Sequence, residues 1–382
     1  MALHRTTIAE INLSAFRHNI KLVKSLVSQN VKIMAVVKAD AYGHGAIPCA
    51  KAALSAGSDC LGVGIIEEGI ELRENGIEAP ILVMGGITPD EAKDLIRHNL
   101  SVAVFSAKHL DLLSIEASRQ KKIAMIHLKI DTGMGRLGFS TNNFLEMARM
   151  TIKNDHLLLE GICTHFSSAD QNNPGITLEQ LKKFDSALNN MKEAGLDLPL
   201  IHCANSAATL NFPESWRDMI RPGLILYGAL IPPQFPTRAP SLAQASFARF
   251  QPVMKWKTQI IQIKHHAKGT WLSYGRKYKT QRDSLIATLP LGYADGLTRL
   301  LSNKMETIVQ GKRAPQVGAI CMDMCLIDVT DISGVKEEDE VIIMGKQGAE
   351  FILAEEIAEH AGLIPYETLC AVGKRVPRVY LP

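Results

Sequence analysis

The amino-acid sequence predicts an α/β protein: an N-terminal (β/α)8 TIM barrel over residues 1–240, then a C-terminal, mostly β-strand domain over residues 241–382. Three observations carry this. Eight short apolar runs alternate with helix-like segments through the first 230 residues. A proline-rich stretch then breaks the rhythm. Beyond it the chain reads as strands with little helix.

The runs are VKIMAVVK (31–38), CLGVGII (60–66), PILVMGG (80–86), SVAVFS (101–106), IAMIHLKI (123–130), LEGICTHF (159–166), LIHCANS (200–206) and RPGLILYG (221–228). Between them lie helical patterns such as Leu13, Phe16, Ile20, Val23 and Val27, whose spacing keeps to one helical face. Continuously apolar strands that alternate with helices indicate a parallel sheet buried on both faces. Eight of them in about 230 residues match a closed barrel; an open, doubly wound sheet is the competing arrangement. Four prolines between Pro232 and Pro240 mark a domain boundary. After it, side-chain character alternates from Trp256 to Ile263, and strand-like runs follow at 284–290, 316–329 and 340–344. One helix is evident there, LAEEIAEHAGL (353–363).

Composition narrows the class. At 382 residues and 46% hydrophobic, the chain can bury a sizeable core and is not a disordered protein. A net charge of +3, from 42 basic and 39 acidic residues, argues against a nucleic-acid binder. Arg5, Thr6, Thr7, Glu10 and Asn12 interrupt any apolar leader, and no run reaches the ~18 apolar residues of a membrane span. The seven cysteines (49, 60, 163, 203, 321, 325 and 370) are scattered without a CxxC pair, so no zinc site and no disulfide framework is expected. A cytoplasmic, reduced enzyme fits best.

In a barrel, chemistry belongs to the C-terminal ends of the strands. The first run ends in Lys38, where desolvation would lower the amine's pKa and make it nucleophilic; a lysine merely closing a strand is the plain alternative. The fifth leads through Lys129 to Asp131 and Arg136, the sixth ends in Thr164-His165, and the seventh in Asn205-Ser206. The eighth begins at Arg221-Pro222-Gly223. Loops after strands seven and eight are the usual phosphate site of such barrels, which makes Ser206 and Gly223 candidates, against an N-cap role for Ser206. A lysine on the first strand with a phosphate cradle after the seventh suggests pyridoxal phosphate.

Other features read as structural. Gly133-Met134-Gly135-Arg136-Leu137-Gly138 matches GxGxxG, but it follows the fifth strand and no acidic residue ends the next one. A tight loop aiming Arg136 inward explains it better than a dinucleotide site. His44, His165 and His202 lie near the rim without metal-ligand spacing, and His202 reads as a satisfied core residue. Asp40 reads as a turn-former. Tyr274 and Tyr293, beside glycines in the second half, read by pattern alone as packing.

At these residues the chain resembles the alanine racemases. Ala35-Val36-Val37-Lys38-Ala39-Asp40-Ala41-Tyr42-Gly43-His44-Gly45 is similar to that family's cofactor-lysine signature. The likeness continues through HLKIDTGMGRLGF (127–139), HCANSAA (202–208), IRPGLILYG (220–228), LSYGRKY (272–278), LGYADG (291–296), GAICMDM (318–324) and KRVPRVY (374–380). The resemblance implies a pyridoxal 5'-phosphate enzyme that interconverts L- and D-alanine and so supplies D-alanine for peptidoglycan. Lys38 resembles the cofactor-bonded lysine and one proton-transfer base, and Tyr274 the second base. Tyr42, Ser206, Gly223, Leu224 and Tyr366 resemble the phosphate-binding set. Arg221 resembles the arginine on the pyridine nitrogen, Arg136 the one near the substrate carboxylate, and His165 the link from Arg221 toward Tyr274. Met322 and Asp323 resemble entrance residues that, with Tyr274, come from the partner of a head-to-tail homodimer. Lys129 matches a lysine that some members carry as a carbamate. Tyr293, Met322 and Tyr366 imply a methyl-sized pocket, which favours alanine over serine or a broader substrate range. A non-catalytic pyridoxal-phosphate protein, a single barrel, is the alternative that residues 241–382 argue against.

Overall fold

The computed structural model describes residues 5–230 and 250–382. The proline run expected to mark the domain boundary, and with it residue 240, lies outside the described residues. Strand β1 (Ile8–Asn12) comes first, then eight parallel strands that close a barrel: β2 (Lys32–Val36), β3 (Cys60–Val63), β4 (Ile81–Val83), β5 (Ser101–Val104), β6 (Ala124–Lys129), β7 (Leu157–Cys163), β8 (Leu200–His202) and β9 (Met219–Ile220). The ring shuts where β9 pairs with β2, Lys32 opposite Met219. These strands are buried almost throughout, as their continuous apolar runs require.

The eighth strand differs from expectation. It is Met219–Ile220, not 221–228; Leu224–Tyr227 forms a 3-10 turn instead. Tyr227 draws that turn inward, its buried hydroxyl donating to the Val36 carbonyl at 2.9 Å. Arg221 therefore stands just beyond the C-terminal end of its strand rather than at the start, and so on the catalytic rim.

The second half forms one extended sheet from β10 (Met254–Gln259), β11 (Gln262–His266), β14 (Ser284–Leu289), β15 (Glu306–Val309), β16 (Lys312–Val317), β17 (Cys325–Asp328), β18 (Glu340–Gln347) and β20 (Arg378–Leu381). A hairpin of β12 (Trp271–Leu272) and β13 (Tyr278–Lys279) and a short β19 (Glu350–Ile352) accompany it. β1 belongs to this sheet, antiparallel to β10 and parallel to β20. The chain thus starts in the C-terminal sheet and enters the barrel through Asn12, whose side chain caps the helix Leu13–Leu26 by accepting from the Ala15 amide at 2.9 Å.

A second helix, Pro365–Ala371, follows Ala354–Ala361, where one was expected. Its signals were in the sequence: Pro365 at the first helical position, and Glu367 accepting the Ile364 amide at 3.1 Å. This helix carries Tyr366 onto the barrel rim.

Candidate active site

A cleft of about 570 Å³ opens at the C-terminal ends of the barrel strands. Lys38, Tyr42, Lys129, Arg136, His165, Ser206, Arg221, Gly223 and Tyr366 line it. These candidates come from five different strand ends and from the second half of the chain.

Lys38 opens the segment Lys38–Gly43, in which Ala39, Asp40, Ala41 and Tyr42 all take left-handed backbone with φ of 52–53°. Such a turn costs L-residues roughly 1–2 kcal/mol each, so neighbouring groups must hold it. The Ala39 amide donates to Glu68 Oε1 at 2.5 Å, and Asp40 accepts from the Ala46 amide at 2.7 Å. His44 Nδ1 lies 3.0 and 2.9 Å from the Ala41 and Tyr42 carbonyls, and Arg378 donates to Gly43 O at 2.9 Å. The turn presents Lys38 and Tyr42 to the same cleft. Burial, then the Arg136 guanidinium, hold the Lys38 amine below the usual lysine range, with Glu68 opposing.

A corner of hydroxyl and amide groups shares the cleft. Asn205, not Ser206, caps the helix Ser206–Asn211, accepting from the Ala208 amide at 3.0 Å. That frees Ser206, whose Oγ meets the Gly223 amide at 2.8 Å. A Cβ at Gly223 would come within 2.5 Å of the Tyr42 hydroxyl, so only glycine lets hydroxyl and amide converge here. Burial, then Tyr366, push the Tyr42 phenol far above its ordinary range, and burial pushes Tyr366 up to about 12; both stay protonated donors. The Leu224 side chain is buried in the core, and Leu224 is not among the residues that line the cleft.

Arg221 is buried, and both of its terminal nitrogens are held. Nη2 donates to Thr164 O at 2.8 Å and Cys203 O at 3.1 Å and lies 3.2 Å from His165 Nδ1, while Nη1 lies 2.9 Å from His202 Nδ1. Burial, then Arg221 and Lys129, hold His165 well below its usual pKa, so it is neutral. Lys129 is also lowered, by burial first. The glycine-rich loop is a closed turn: Asp131 Oδ1 accepts from the Gly133 and Gly135 amides at 2.9 and 3.1 Å, leaving Arg136 along the cleft.

The remaining candidates gather elsewhere. Tyr274 is 76% exposed, and Tyr293 and Met322 are also exposed. Ser273, at φ 61°, donates from Oγ to Ala319 O at 2.7 Å, tying the Tyr274 turn to the loop that continues into Met322 and Asp323. Tyr293 and Ala294 donate their amides to Cys321 O and Met322 O, both at 3.0 Å. Asp323 pairs with Arg375 at 2.8 Å. These four side chains form one patch on the second half and do not line the cleft of their own chain. Sequence reading missed Glu68, and placed Asn205 at the rim without reading it as the cap; an acid two residues into the helix Ile66–Glu74 and an Asn before a helical run were the available signals.

Fold and site together define a barrel enzyme with a desolvated lysine amine and a corner of hydroxyl and amide groups in one cleft. Residues 11–231 match the alanine racemase N-terminal domain and residues 253–380 the alanine racemase C-terminal domain. The alanine racemase of Desulforamulus reducens is 46% identical over 375 residues, covering 98% of each chain. That of Halothermothrix orenii is 42% identical over 376 residues, covering 98% of this chain and 97% of the relative. Among solved structures, the alanine racemase of Clostridium difficile 630 is similar with a TM-score of 0.92 at 36% identity, over 100% of this chain and 97% of that one. The alanine racemase from Bacillus anthracis with bound L-Ala-P gives 0.90 at 33%, over 100% and 96%. The chain belongs to the alanine racemase family and is an isomerase of that family.

Proposed function

We propose that the protein is a pyridoxal 5'-phosphate-dependent alanine racemase working by two bases, Lys38 and Tyr274, as a homodimer with shared sites. The observation that carries this reading is the division of the candidate residues. Lys38 and the anion-binding corner share one cleft, while Tyr274, Tyr293, Met322 and Asp323 form an exposed patch outside it. A second copy of the chain is what would bring patch to cleft.

The cleft fits the cofactor. An amine held below its usual range suits bonding to an aldehyde, and the protonated Tyr42 and Tyr366 phenols, with the Ser206 hydroxyl that accepts from the Gly223 amide and keeps its own proton to donate, suit a phosphate. Tyr42, Ser206, Gly223, the Leu224 backbone and Tyr366 would hold that phosphate. Arg221 would face the ring nitrogen, and because a guanidinium keeps its proton, that nitrogen would stay unprotonated and transamination would be held down. When bound, the cofactor supplies the electron sink that acidifies the substrate Cα–H.

The chain's own groups do the rest. Arg136 orients the substrate carboxylate, supported by Lys129, free or as a carbamate. Lys38 Nζ exchanges a proton on one face of Cα and the Tyr274 hydroxyl on the other, and His165 links Arg221 toward that phenol. Tyr366, with Tyr293 and Met322, keeps the side-chain space near a methyl group, which favours alanine over serine. The seven free cysteines suit a reducing cytoplasm, where D-alanine would be made for peptidoglycan.

The test is exchange. Purified protein given L-alanine in deuterated water should incorporate deuterium at Cα and form D-alanine. Cofactor binding without exchange would return the reading to a non-catalytic carrier, and equal turnover of serine would reject the narrow substrate range.

A further inference from the structure

Arg221 is a buried cation that has, among the described residues, no carboxylate in contact: its partners are carbonyls and imidazoles. A buried charge needs compensation, and the hydrogen-bond chain leaving Nη1 leads to a carboxylate. Arg221 can only donate, so His202 Nδ1 is an acceptor and its proton sits on Nε2. His202 Nε2 meets His127 Nδ1 at 2.8 Å, which places the His127 proton on Nε2 as well. His127 Nε2 then meets Glu160 Oε2 at 3.0 Å, and Ser101 Oγ donates to the same oxygen at 2.5 Å. Every donor along this line points the same way.

The barrel is shaped to make it. Arg221 stands beyond the C-terminal end of β9, whereas Ser101 opens β5 at the opposite end, so the chain crosses the barrel interior where apolar side-chain layers are usual. The register of β7 against β6 slips between Ile126 and His127, leaving Glu160 as the extra residue of a bulge. Next to it, a Cβ on Gly161 would come within 2.3 Å of His127 Nδ1, so glycine makes room for the ring. His127 and His202 are both buried, while the Glu160 side chain is 30% exposed.

We propose that Glu160 is a positioning residue for the racemase reaction: through His127 and His202, with tautomers fixed by the chain, it is the counter-charge that holds the Arg221 guanidinium in place under the cleft. The proposal rests on the catalytic reading above but makes a separate claim about protonation. In the wild-type holoenzyme, 15N spectra of labelled histidine should show His127 and His202 both neutral and protonated on Nε2. Glu160→Gln keeps an acceptor for His127 while removing the charge. It should preserve both tautomers and lower kcat about tenfold, with KM for alanine within about twofold, the size of one weakened charge-assisted hydrogen bond. Glu160→Ala, which removes the acceptor too, should also scramble the His127 tautomer. A wild-type His202 protonated on Nδ1, or a folded Glu160→Gln enzyme with unchanged kcat, overturns the proposal. If a variant fails to fold, the wild-type tautomers still decide. Wild-type protein that shows these tautomers but no racemisation supports the relay and rejects the catalytic reading instead.

Discussion

Burial sets the protonation states on which the site depends, and several of those states are exposed to pH. His44 is pushed down to about 4 by burial, and His165 and His202 lie well below the usual range for the same first reason. In the unfolded chain these rings would take up protons near 6.5. Between the folded and unfolded values the unfolded state binds more protons, so stability rises with pH there and falls as pH drops below about 6.5. The melting temperature should therefore decline from pH 7 toward pH 4.5. Replacing His44 with Asn should flatten that slope, and calorimetry across the range checks it. The roles of single residues were unevenly legible. Lys38 and Ser206 could be placed because each ends an apolar run. His202 read only as a satisfied core residue; it is buried and hydrogen-bonded, but to Arg221, and that contact joins residues 19 positions apart. Glu160 gave no signal, because a lone acid in a strand looks like an outward-facing residue until a bulge turns it.

Short elements here are held by caps more than by length. Ser206–Asn211 spans six residues, too few to be stable alone, and Asn205 caps it so that Ser206 is left facing the cleft. Asn205→Ala should cost ~1 kcal/mol in denaturant unfolding and weaken phosphate binding, because the Ser206 hydroxyl would then compete for the unsatisfied amides. Unchanged stability would mean that packing, not the cap, holds the helix. Element ends were the least legible feature of the sequence. RPGLILYG reads as a strand because its apolar residues are contiguous, yet the strand is Met219–Ile220; the Arg221 amide and Pro222 carbonyl still bond to Ala204 O and the Val36 amide before Tyr227 pulls the chain into the core. The helix Pro365–Ala371 was passed over although proline and glutamate marked its start.

At the scale of the molecule the two halves are interleaved. β1 lies in the C-terminal sheet, and Tyr366 from the second half lines the barrel cleft. The proposal that the exposed patch of one copy completes the cleft of another makes a direct prediction about assembly. Lys38→Ala and Tyr274→Phe proteins should each be nearly inactive, and mixing them under exchange should restore roughly a quarter of wild-type activity, since half of the dimers form between variants and each such dimer holds one intact site. Failure to recover activity in confirmed mixed dimers would mean that each site is complete in its own chain. Among the described residues no helix is long and apolar enough to cross a membrane.

The sequence by itself determined the barrel, the change of texture after it, and the lysine, arginine and hydroxyl residues of its rim. Those depend on local periodicity and on the rule that strand ends carry chemistry, both of which are written in neighbouring residues. Only the tertiary structure decided that β1 joins the far sheet and that Arg221 sits past the end of its strand. It also decided that a bulge and one glycine line up two histidines between Arg221 and Glu160. Pairing partners, register slips and buried hydrogen-bond direction are fixed by contacts between residues distant in the chain, and no pattern of adjacent side chains encodes them.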